Sequence, residues 1–172
     1  VGAVLQKKTG NSHPRIIIQS SLGGVWGEWQ DDTQSIHENL ASVKKLCDGK
    51  GVLFVQAAGN GWQDLGKGFR NNGGTFETSF PYNMGVSVDN FLSVANHRSD
   101  RNLEWSSNYS TSHDQAQVHV SAPGTDIVST GRGFSVSADR QVDEAFVETG
   151  TSMAAPHVSG VAALLWRLFP DA

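Results

Sequence analysis

One serine, Ser152, stands in an unusual context in the stretch VETGTSMAAPHVSGVAALLW. Glycine, threonine and alanine surround it, and a long apolar helical pattern follows it. A serine at a helix N-terminus has a backbone N–H that points out of the helix end, where the helix dipole favours developing negative charge. Such a hydroxyl would be able to attack a carbonyl group and help to hold the resulting oxyanion. The simpler alternative is that Ser152 only caps the helix, a common task for serine.

A second stretch, GWQDLGKG, has part of the spacing of a phosphate-binding loop. Gly61 is followed at the required interval by Gly66 and Lys67, but Gly68 stands where a magnesium-binding hydroxyl is needed. No helical pattern follows this stretch. We therefore expect a surface loop here and not a nucleotide site.

Composition and charge exclude several other classes of protein. The chain has 172 residues, of which 38% are hydrophobic and 17% charged, as in a globular domain with one core. A net charge of −4 without a basic cluster argues against nucleic-acid and anionic-membrane partners. The single Cys47 excludes an internal disulfide, and the apolar run GVAALLW is too short to span a membrane. Of six scattered histidines only His113 and His119 lie near each other, which favours solvated histidines over a metal site.

Alternating strand and helix patterns have to position these residues. RIIIQSSL at 15–22 and GVLFVQAAGN at 51–60 are apolar runs typical of strands buried on both faces of a parallel sheet. Between them, DDTQSIHENLASVKKLCDGKG has the apolar spacing and the end signals of an amphipathic helix. Strand, helix and strand predict one right-handed crossover, and hence an α/β fold.

The rest of the chain continues this pattern. FLSVAN and VHVSAPG predict two more strands, whereas 61–82 is rich in glycine and asparagine and predicts a loop. The last element is a helix from about Met153 to Phe169, in which Pro156 is tolerated if it lies in the first turn. FLSVAN should lie beside the first two strands and parallel to them. No linker divides the chain, so we expect one domain over 1–172.

Four segments resemble the subtilisin-like serine proteases, the subtilase family. GTSMAAPHVSGVAALL resembles the family's nucleophile segment, and IIIQSSLGG its substrate-binding strand. VLFVQAAGN resembles the strand that ends in the oxyanion-hole asparagine, and VSAPGTDIVST the segment that precedes the nucleophile loop. All four occur in family order, and the resemblance as a whole extends over nearly the whole chain. The resemblance implies a parallel-sheet subtilisin-like fold with helices on both faces, present here as its C-terminal part.

The resemblance also implies a role for each matching residue. Ser152 would be the nucleophile of a serine endopeptidase, and Asn60 the side-chain donor to the oxyanion. The residues that would pair with the backbone of a polypeptide substrate are Ser21, Leu22 and Gly23. The residues that would line one wall of the specificity pocket are Ala57, Ala58 and Gly59. Two fixed N–H donors are what the tetrahedral oxyanion of peptide hydrolysis requires.

Two motifs of the family are missing. Subtilases carry Asp, His and Ser in that order, and the aspartate and histidine motifs both precede the substrate-binding strand. Neither motif occurs in this sequence, His13 and His37 match no family motif, and His157 belongs to the nucleophile helix as a structural residue. Since the sequence starts at Val1, we expect a preceding segment that supplies the N-terminal half of the catalytic domain. Without it, this chain should be inactive and should expose one edge of its sheet.

Two alternatives to a subtilisin-like endopeptidase were weighed. An α/β-hydrolase nucleophile elbow nearly fits residues 150–154, but that fold needs its acid and histidine after the serine, where little sequence remains. A non-catalytic relative that keeps the fold for binding or inhibition stays open, and upstream aspartate and histidine motifs would exclude it.

Cofactors and location follow only from the resemblance. No organic cofactor is required for the chemistry. Calcium commonly stabilises the family, and the loop 80–88 falls near one family site, but carbonyl ligands leave little side-chain signature and no metal residue is predicted. The resemblance implies a secreted or extracellular protein.

Overall fold

The computed structural model describes the elements that hold the candidate site. It covers residues 2–5, 15–22, 41–42, 44–46, 51–67, 69–70, 76–77, 89–111, 118–135 and 140–169. Within these ranges the chain is a parallel sheet with a long helix packed on it, which confirms the α/β class. Residues 41–42 and 44–46 are helical, as the amphipathic pattern predicts, and the start of that helix lies outside the described residues.

The main sheet has five strands. Their bounds are Gly2–Leu5 for β1, Ile16–Ser20 for β2, Val52–Ala57 for β3, Phe91–His97 for β6 and Val120–Pro123 for β7. The spatial order is β1-β2-β3-β6-β7, and β2, β3, β6 and β7 pair in parallel. The predicted parallel neighbours RIIIQSSL, GVLFVQAA and FLSVAN are therefore confirmed. Apolar residues on both faces suit these strands to the centre of a sheet.

The strand register brings the candidate site residues to one edge of the sheet. Ser20 pairs with Gln56, so β2 and β3 end side by side, whereas β6 continues for three residues beyond Val94, the partner of Ala57. Residues that follow the carboxyl ends of parallel strands gather at this edge, where ligands bind in open α/β sheets. The segments after β2 and β3 hold most of the substrate-binding and oxyanion residues predicted from sequence.

Helix α1, Thr151–Leu168, covers one face of the sheet. Its buried residues Ala154 and Ala155 join a core made of strand residues Ile17, Val55, Ala57, Val94 and Ala122. Small helix residues allow the helix backbone to approach the sheet closely. The helix therefore starts at the same sheet edge at which β2 and β3 end.

Arg15 fixes the other end of α1. Its guanidinium donates to the carbonyl oxygens of Trp166 at 2.9 Å and Phe169 at 3.2 Å, and it lies 5.6 Å from the Trp166 ring centroid. A cation at a helix C-terminus satisfies free carbonyls and interacts favourably with the helix dipole. Because Arg15 immediately precedes β2, this contact orients α1 antiparallel to that strand.

Two small sheets lie outside the main one. Strands β8, Ile127–Ser135, and β9, Arg140–Glu148, pair antiparallel over their full length and lead directly into α1. Strands β4, Phe69–Arg70, and β5, Phe76–Glu77, pair antiparallel within the predicted loop. The long hairpin was not predicted, because two glycines in β8 interrupt the alternation that marks a strand.

Three details differ from the sequence-based expectations. An antiparallel strand, β1, pairs with β2 and was not predicted, so in the described part of the sheet the edge on this side lies at β1 and not at β2. Pro156 lies beyond the first turn, because α1 begins at Thr151. Residues 65–67 form a 3-10 turn, and the short strand β4 follows it. A phosphate-binding loop requires a helix there, so the nucleotide alternative is excluded.

Candidate active site

Ser152 is the second residue of α1. The N-cap is Gly150, which has no side chain, so no side-chain cap bond exists at this helix end. The alternative in which Ser152 serves only as the helix cap is therefore wrong. The serine lies inside the first turn, where the backbone N–H groups have no partners within the helix.

The first N–H groups of α1 have different partners. Gly150 donates to the Gly124 carbonyl at 2.8 Å, and Met153 donates to the Gly150 carbonyl at 3.0 Å. Thr151 donates to the side-chain oxygen of Asn60 at 2.9 Å. Among the described residues no acceptor takes the N–H of Ser152. The one donor left over at this helix end thus belongs to the predicted nucleophile.

Thr151 fixes the orientation of the Asn60 amide. Asn60 Oδ1 accepts from the Thr151 backbone N–H at 2.9 Å and from the Thr151 hydroxyl at 3.1 Å. A backbone N–H is only a donor, so the accepting atom has to be oxygen, and the amide nitrogen lies on the other side of the group. The Asn60 N–H donors are consequently directed away from Thr151, and among the residues that the structure describes no acceptor takes them.

The Thr151 hydroxyl also supports the segment before Asn60. Its oxygen accepts from the Gly59 N–H at 3.0 Å, and Thr151 itself is completely buried. One hydroxyl therefore joins the end of β3 to the start of α1. Thr151 lies inside the nucleophile motif, but no residue near it in the sequence signals this contact.

Replacing Thr151 tests this bridge. Thr151→Val removes the hydroxyl with little change in shape and leaves the buried Gly59 N–H without an acceptor. We expect the free energy of unfolding to fall by about 1–3 kcal/mol. Thr151→Ser keeps the hydroxyl and should lose only about 0.8 kcal/mol for the missing methyl group. Chemical denaturation of both variants measures the difference, and equal losses would contradict the bridging role.

Two glycines allow the segments to pack this closely. A Cβ on Gly150 would lie 3.3 Å from Asn60 Nδ2, so any side chain there would press on the amide nitrogen. A Cβ on Gly124 would lie 2.6 Å from both the Gly150 carbonyl oxygen and Asn96 Oδ1. Real side chains do not tolerate contacts as short as those at Gly124. The turn before α1 is thus built against the end of β7 without room for a methyl group.

Ser21 binds the nucleophile residue through its backbone. Pro156 has no N–H, so the Ser152 carbonyl has no donor four residues ahead in the helix. The Ser21 hydroxyl donates to this carbonyl at 3.0 Å and accepts from the Gln19 side chain at 2.7 Å. The segment after β2, predicted to bind substrate, is thereby tied to the first turn of α1.

The other predicted substrate-binding residues differ in accessibility. Leu22 is 64% exposed, and its carbonyl accepts from the buried Gln56 side chain at 2.7 Å. Ala57 and Ala58 are 3% and 0% exposed, and Gly59 is also buried. All three residues are buried in this structure, and their role as a wall of the specificity pocket stays a prediction. Gly23 lies outside the described residues.

Asn108 holds the loop that follows β3. Its Nδ2 donates to the Ala58 carbonyl at 2.8 Å, and its Oδ1 accepts from the N–H groups of Gly61 and Gln63, both at 2.9 Å. The Asn108 N–H also donates to the Gly59 carbonyl at 2.9 Å. Thr151 thus holds the side chain of Asn60, and Asn108 holds the backbone before and after it. Nothing near Asn108 in the sequence signals this role, because its partners are far away in the chain.

Only some of the residues named in the predictions on histidines and metals lie among the described residues. His157 Nδ1 lies 2.8 Å from the Met153 carbonyl in its own helix, as a structural residue would. His13, His37 and His113 lie outside the described residues, as does the loop 80–88 considered for calcium. Within the described part of the chain, no group of three or more His, Cys, Asp or Glu residues is placed to hold a metal.

Comparison with known proteins identifies the family. The family model described as "Subtilase family" matches residues 3–172. The chain belongs to the subtilase family. The match includes Ser152, Asn60 and every strand of the main sheet except the first residue of β1.

Bacterial proteases of known sequence are similar to this subtilase chain. The extracellular basic protease of Dichelobacter nodosus is 34% identical over 156 residues, which are 90% of the chain and 21% of that protein. The extracellular serine protease of Serratia marcescens is 34% identical over 169 residues, which are 90% of the chain and 15% of that protein. The subtilase chain therefore spans about a fifth or less of these relatives.

Solved structures agree with the fold. A protease from Pseudoalteromonas arctica aligns with a TM-score of 0.60 and 26% identity, over 96% of this chain and 44% of that one. A cold-adapted subtilisin-like serine proteinase aligns with a TM-score of 0.53 and 25% identity, over 88% of this chain and 41% of that one. The resemblance inferred from sequence is confirmed by these alignments. None of the helices in the described part of the subtilase chain is long and apolar enough to cross a membrane.

Proposed function

We propose that this chain supplies the nucleophile and the oxyanion-binding donors of a subtilisin-like serine endopeptidase. The observation that carries the proposal is the pair of donors at the start of α1. The Ser152 N–H has no acceptor among the described residues, and the Asn60 amide nitrogen is turned away from Thr151. Together they provide two fixed N–H donors next to one hydroxyl.

These groups serve the first step of peptide hydrolysis. The Ser152 hydroxyl oxygen attacks the scissile carbonyl carbon while its proton passes to a base, and the carbonyl oxygen becomes an oxyanion. The Ser152 N–H and the Asn60 amide donate to that oxyanion. Donors held in place before the reaction stabilise the new charge without reorganisation, which is the largest single contribution in many enzymes.

The intermediate then breaks down in the usual way for a serine enzyme. The C–N bond cleaves, the leaving amine takes the proton from the base, and an ester of Ser152 remains. A water molecule, deprotonated by the same base, then attacks the ester carbonyl. The bond to the Ser152 oxygen breaks, the base returns the proton to that oxygen, and the carboxylic acid product leaves. No organic cofactor enters these steps, and we propose that polypeptides are the substrates.

The base has to come from elsewhere. A serine hydroxyl is a weak nucleophile until an imidazole, oriented by a carboxylate, removes its proton. The sequence contains neither family motif for these residues. We propose that a segment outside these 172 residues provides the aspartate and histidine and is thus the main partner of this chain. Two similar proteases are named extracellular, which supports a secreted protein.

Expression of residues 1–172 with and without the upstream segment of the same gene tests the proposal. We expect the lone chain to hydrolyse peptides negligibly, because it lacks a base, and the combined sample to be active. Hydrolysis of a chromogenic peptide measures both. Robust activity of the lone chain would contradict the proposal and make His37 and His157 the first residues to replace. Inactivity of the combined sample, with both motifs present, would favour a non-catalytic relative.

A further inference from the structure

Gln56 is a polar residue in the middle of the main sheet. It is completely buried and lies on β3 between Ser20 of β2 and Ser93 of β6. Among the described residues its Oε1 has no hydrogen-bond partner. A buried polar atom without a partner costs free energy that an apolar side chain of similar size would not cost. Gln56 therefore needs a reason beyond the packing of the sheet.

The amide nitrogen of Gln56 supplies that reason. Nε2 lies 2.7 Å from the carbonyl oxygen of Leu22 and 3.0 Å from that of Ala57. Both neighbours can only accept, so the atom between them has to be the nitrogen, which carries two N–H donors. One side-chain nitrogen thus joins the segment that follows β2 to the segment that leads from β3 to Asn60.

This contact extends the pairing of β2 and β3 past the last residue of β2. The Ile16 N–H donates to the Gly51 carbonyl at 2.7 Å, so the polar backbone groups of Ile16 face β3, as do those of every second residue after it. Leu22 continues this series, and its carbonyl oxygen meets the Gln56 amide where a backbone N–H would otherwise donate. Ser21 belongs to the alternate series, whose polar backbone groups face away from β3.

The other contacts of this segment among the described residues are weaker or involve only side chains. Leu22 is 64% exposed, so packing does not fix its side chain, and its N–H lies 3.4 Å from the Ser20 hydroxyl, a long hydrogen bond. Ser21 is exposed and reaches α1 through its hydroxyl. Exposed backbone with few apolar contacts opens locally at little cost. The bond from the buried Gln56 amide is therefore the main restraint on the Leu22 backbone.

We propose that Gln56 is a positioning residue that holds the substrate-binding segment at 21–22 in place relative to Asn60. This inference rests on the proposed endopeptidase function and adds to it a residue for which the family resemblance implies no role. A substrate backbone pairs with this segment at lower cost if the segment is already ordered. Because the pairing exists both before and during the reaction, its loss should raise KM more than it lowers kcat.

The test compares Gln56→Met with the unaltered full-length gene product on two substrates. One is a chromogenic peptide with several residues on the acyl side of the scissile bond. The other is p-nitrophenyl acetate, which has no peptide backbone to pair with the segment. Methionine resembles glutamine in shape but has no N–H. We expect kcat/KM for the peptide to fall about tenfold, mainly through a higher KM, and kcat/KM for the ester to stay within about twofold.

Gln63→Met is the matched control. The Gln63 amide also donates to a carbonyl oxygen, that of Gly61 at 3.1 Å, but this bond is exposed and lies within one loop. We expect this variant to hydrolyse both substrates within about twofold of the unaltered protein. Gln56→Asn, whose amide is one carbon shorter, repeats the test if the methionine variant does not fold.

Each outcome decides one question. An unchanged kcat/KM for the peptide, or a fall confined to kcat, would overturn the inference. An equal fall for peptide and ester, or failure of both Gln56 variants to fold, would also overturn it and assign Gln56 a purely structural role. No hydrolysis of the peptide by the unaltered protein would instead contradict the proposed function itself.

Discussion

Ser152→Ala should abolish peptide hydrolysis by the full-length gene product, with a fall in kcat of about 10⁴-fold or more. The expected loss is this large because alanine has no oxygen with which to form the acyl-enzyme. Both proposed oxyanion donors would remain, since one is a backbone N–H and the other belongs to Asn60. Substrate binding should change little. Steady-state kinetics on a chromogenic peptide, with the amount of folded enzyme checked by circular dichroism, measures the effect.

A matched control separates this effect from damage to the helix. Ser159 lies in the same helix, and its hydroxyl donates to the Ala155 carbonyl at 3.2 Å. Ser159→Ala makes the same chemical change one to two turns away and should leave kcat within about twofold. Retention of more than about a hundredth of the activity by Ser152→Ala would show that another residue is the nucleophile.

Asn60→Ala should lower kcat by about 10²–10³-fold while KM stays nearly constant, a magnitude taken from the equivalent loss in subtilisin. The donor acts on the oxyanion, which exists only in the transition state and the intermediate, so ground-state binding is hardly affected. The substitution also removes the acceptor for the Thr151 N–H and hydroxyl. Some loss of stability is therefore expected beside the loss of rate.

Asn60→Asp distinguishes these two consequences. Aspartate keeps an oxygen for Thr151 and replaces the donor with a second carboxylate oxygen, which would repel the oxyanion. We expect Asn60→Asp to be folded and at least as slow as Asn60→Ala. Asn102→Ala, at an exposed asparagine on another loop, controls for general effects of the substitution. An aspartate variant with normal kcat would remove Asn60 from the mechanism.

The elements that hold the site were predictable because their signals are local. Apolar runs at 15–22, 51–60 and 91–96 predicted three parallel strands, and the periodicity after Ser152 predicted α1. The observed strands lie at 16–20, 52–57 and 91–97. The resemblance of two short segments to the subtilase family implied the roles of Ser152 as nucleophile and Asn60 as donor. Parallel pairing places the ends of β2 and β3 at the same sheet edge, and in the structure α1 begins at that edge, where Ser21 donates to the Ser152 carbonyl.

The contacts that orient the site were not predictable in the same way. Asn60 and Thr151 are 91 residues apart, and Ser21 and Ser152 are 131 residues apart, so no window of sequence contains both partners. In the contact between Ser21 and Ser152, only the acceptor has a local sequence signal. Pro156 has no N–H, so the Ser152 carbonyl lacks its usual donor within the helix. That the donor to this carbonyl is Ser21 depends on how α1 packs against β2. Asn108 is a similar case, since its side chain binds residues 45 to 50 positions away.

The long hairpin β8–β9 shows a different limit. Its strands pair over nine residues each, yet two glycines in β8 weaken the pattern of alternating apolar residues. Val128 and Val147 face each other in the register and are 67% and 59% exposed, so burial does not impose a strong apolar pattern here. A strand without a buried face carries little sequence signal.

Labelling of the full-length gene product with a peptide phosphonate is the most direct test of the central claim that Ser152 attacks and Asn60 stabilises the oxyanion. The activated serine oxygen attacks phosphorus and displaces an aryloxide, which leaves a tetrahedral phosphonate ester on the serine. Mass spectrometry locates the modified residue. The account predicts a label on Ser152, no label in Ser152→Ala, and labelling about 10²-fold slower in Asn60→Ala. A label on another residue, or an unchanged rate in Asn60→Ala, would contradict it.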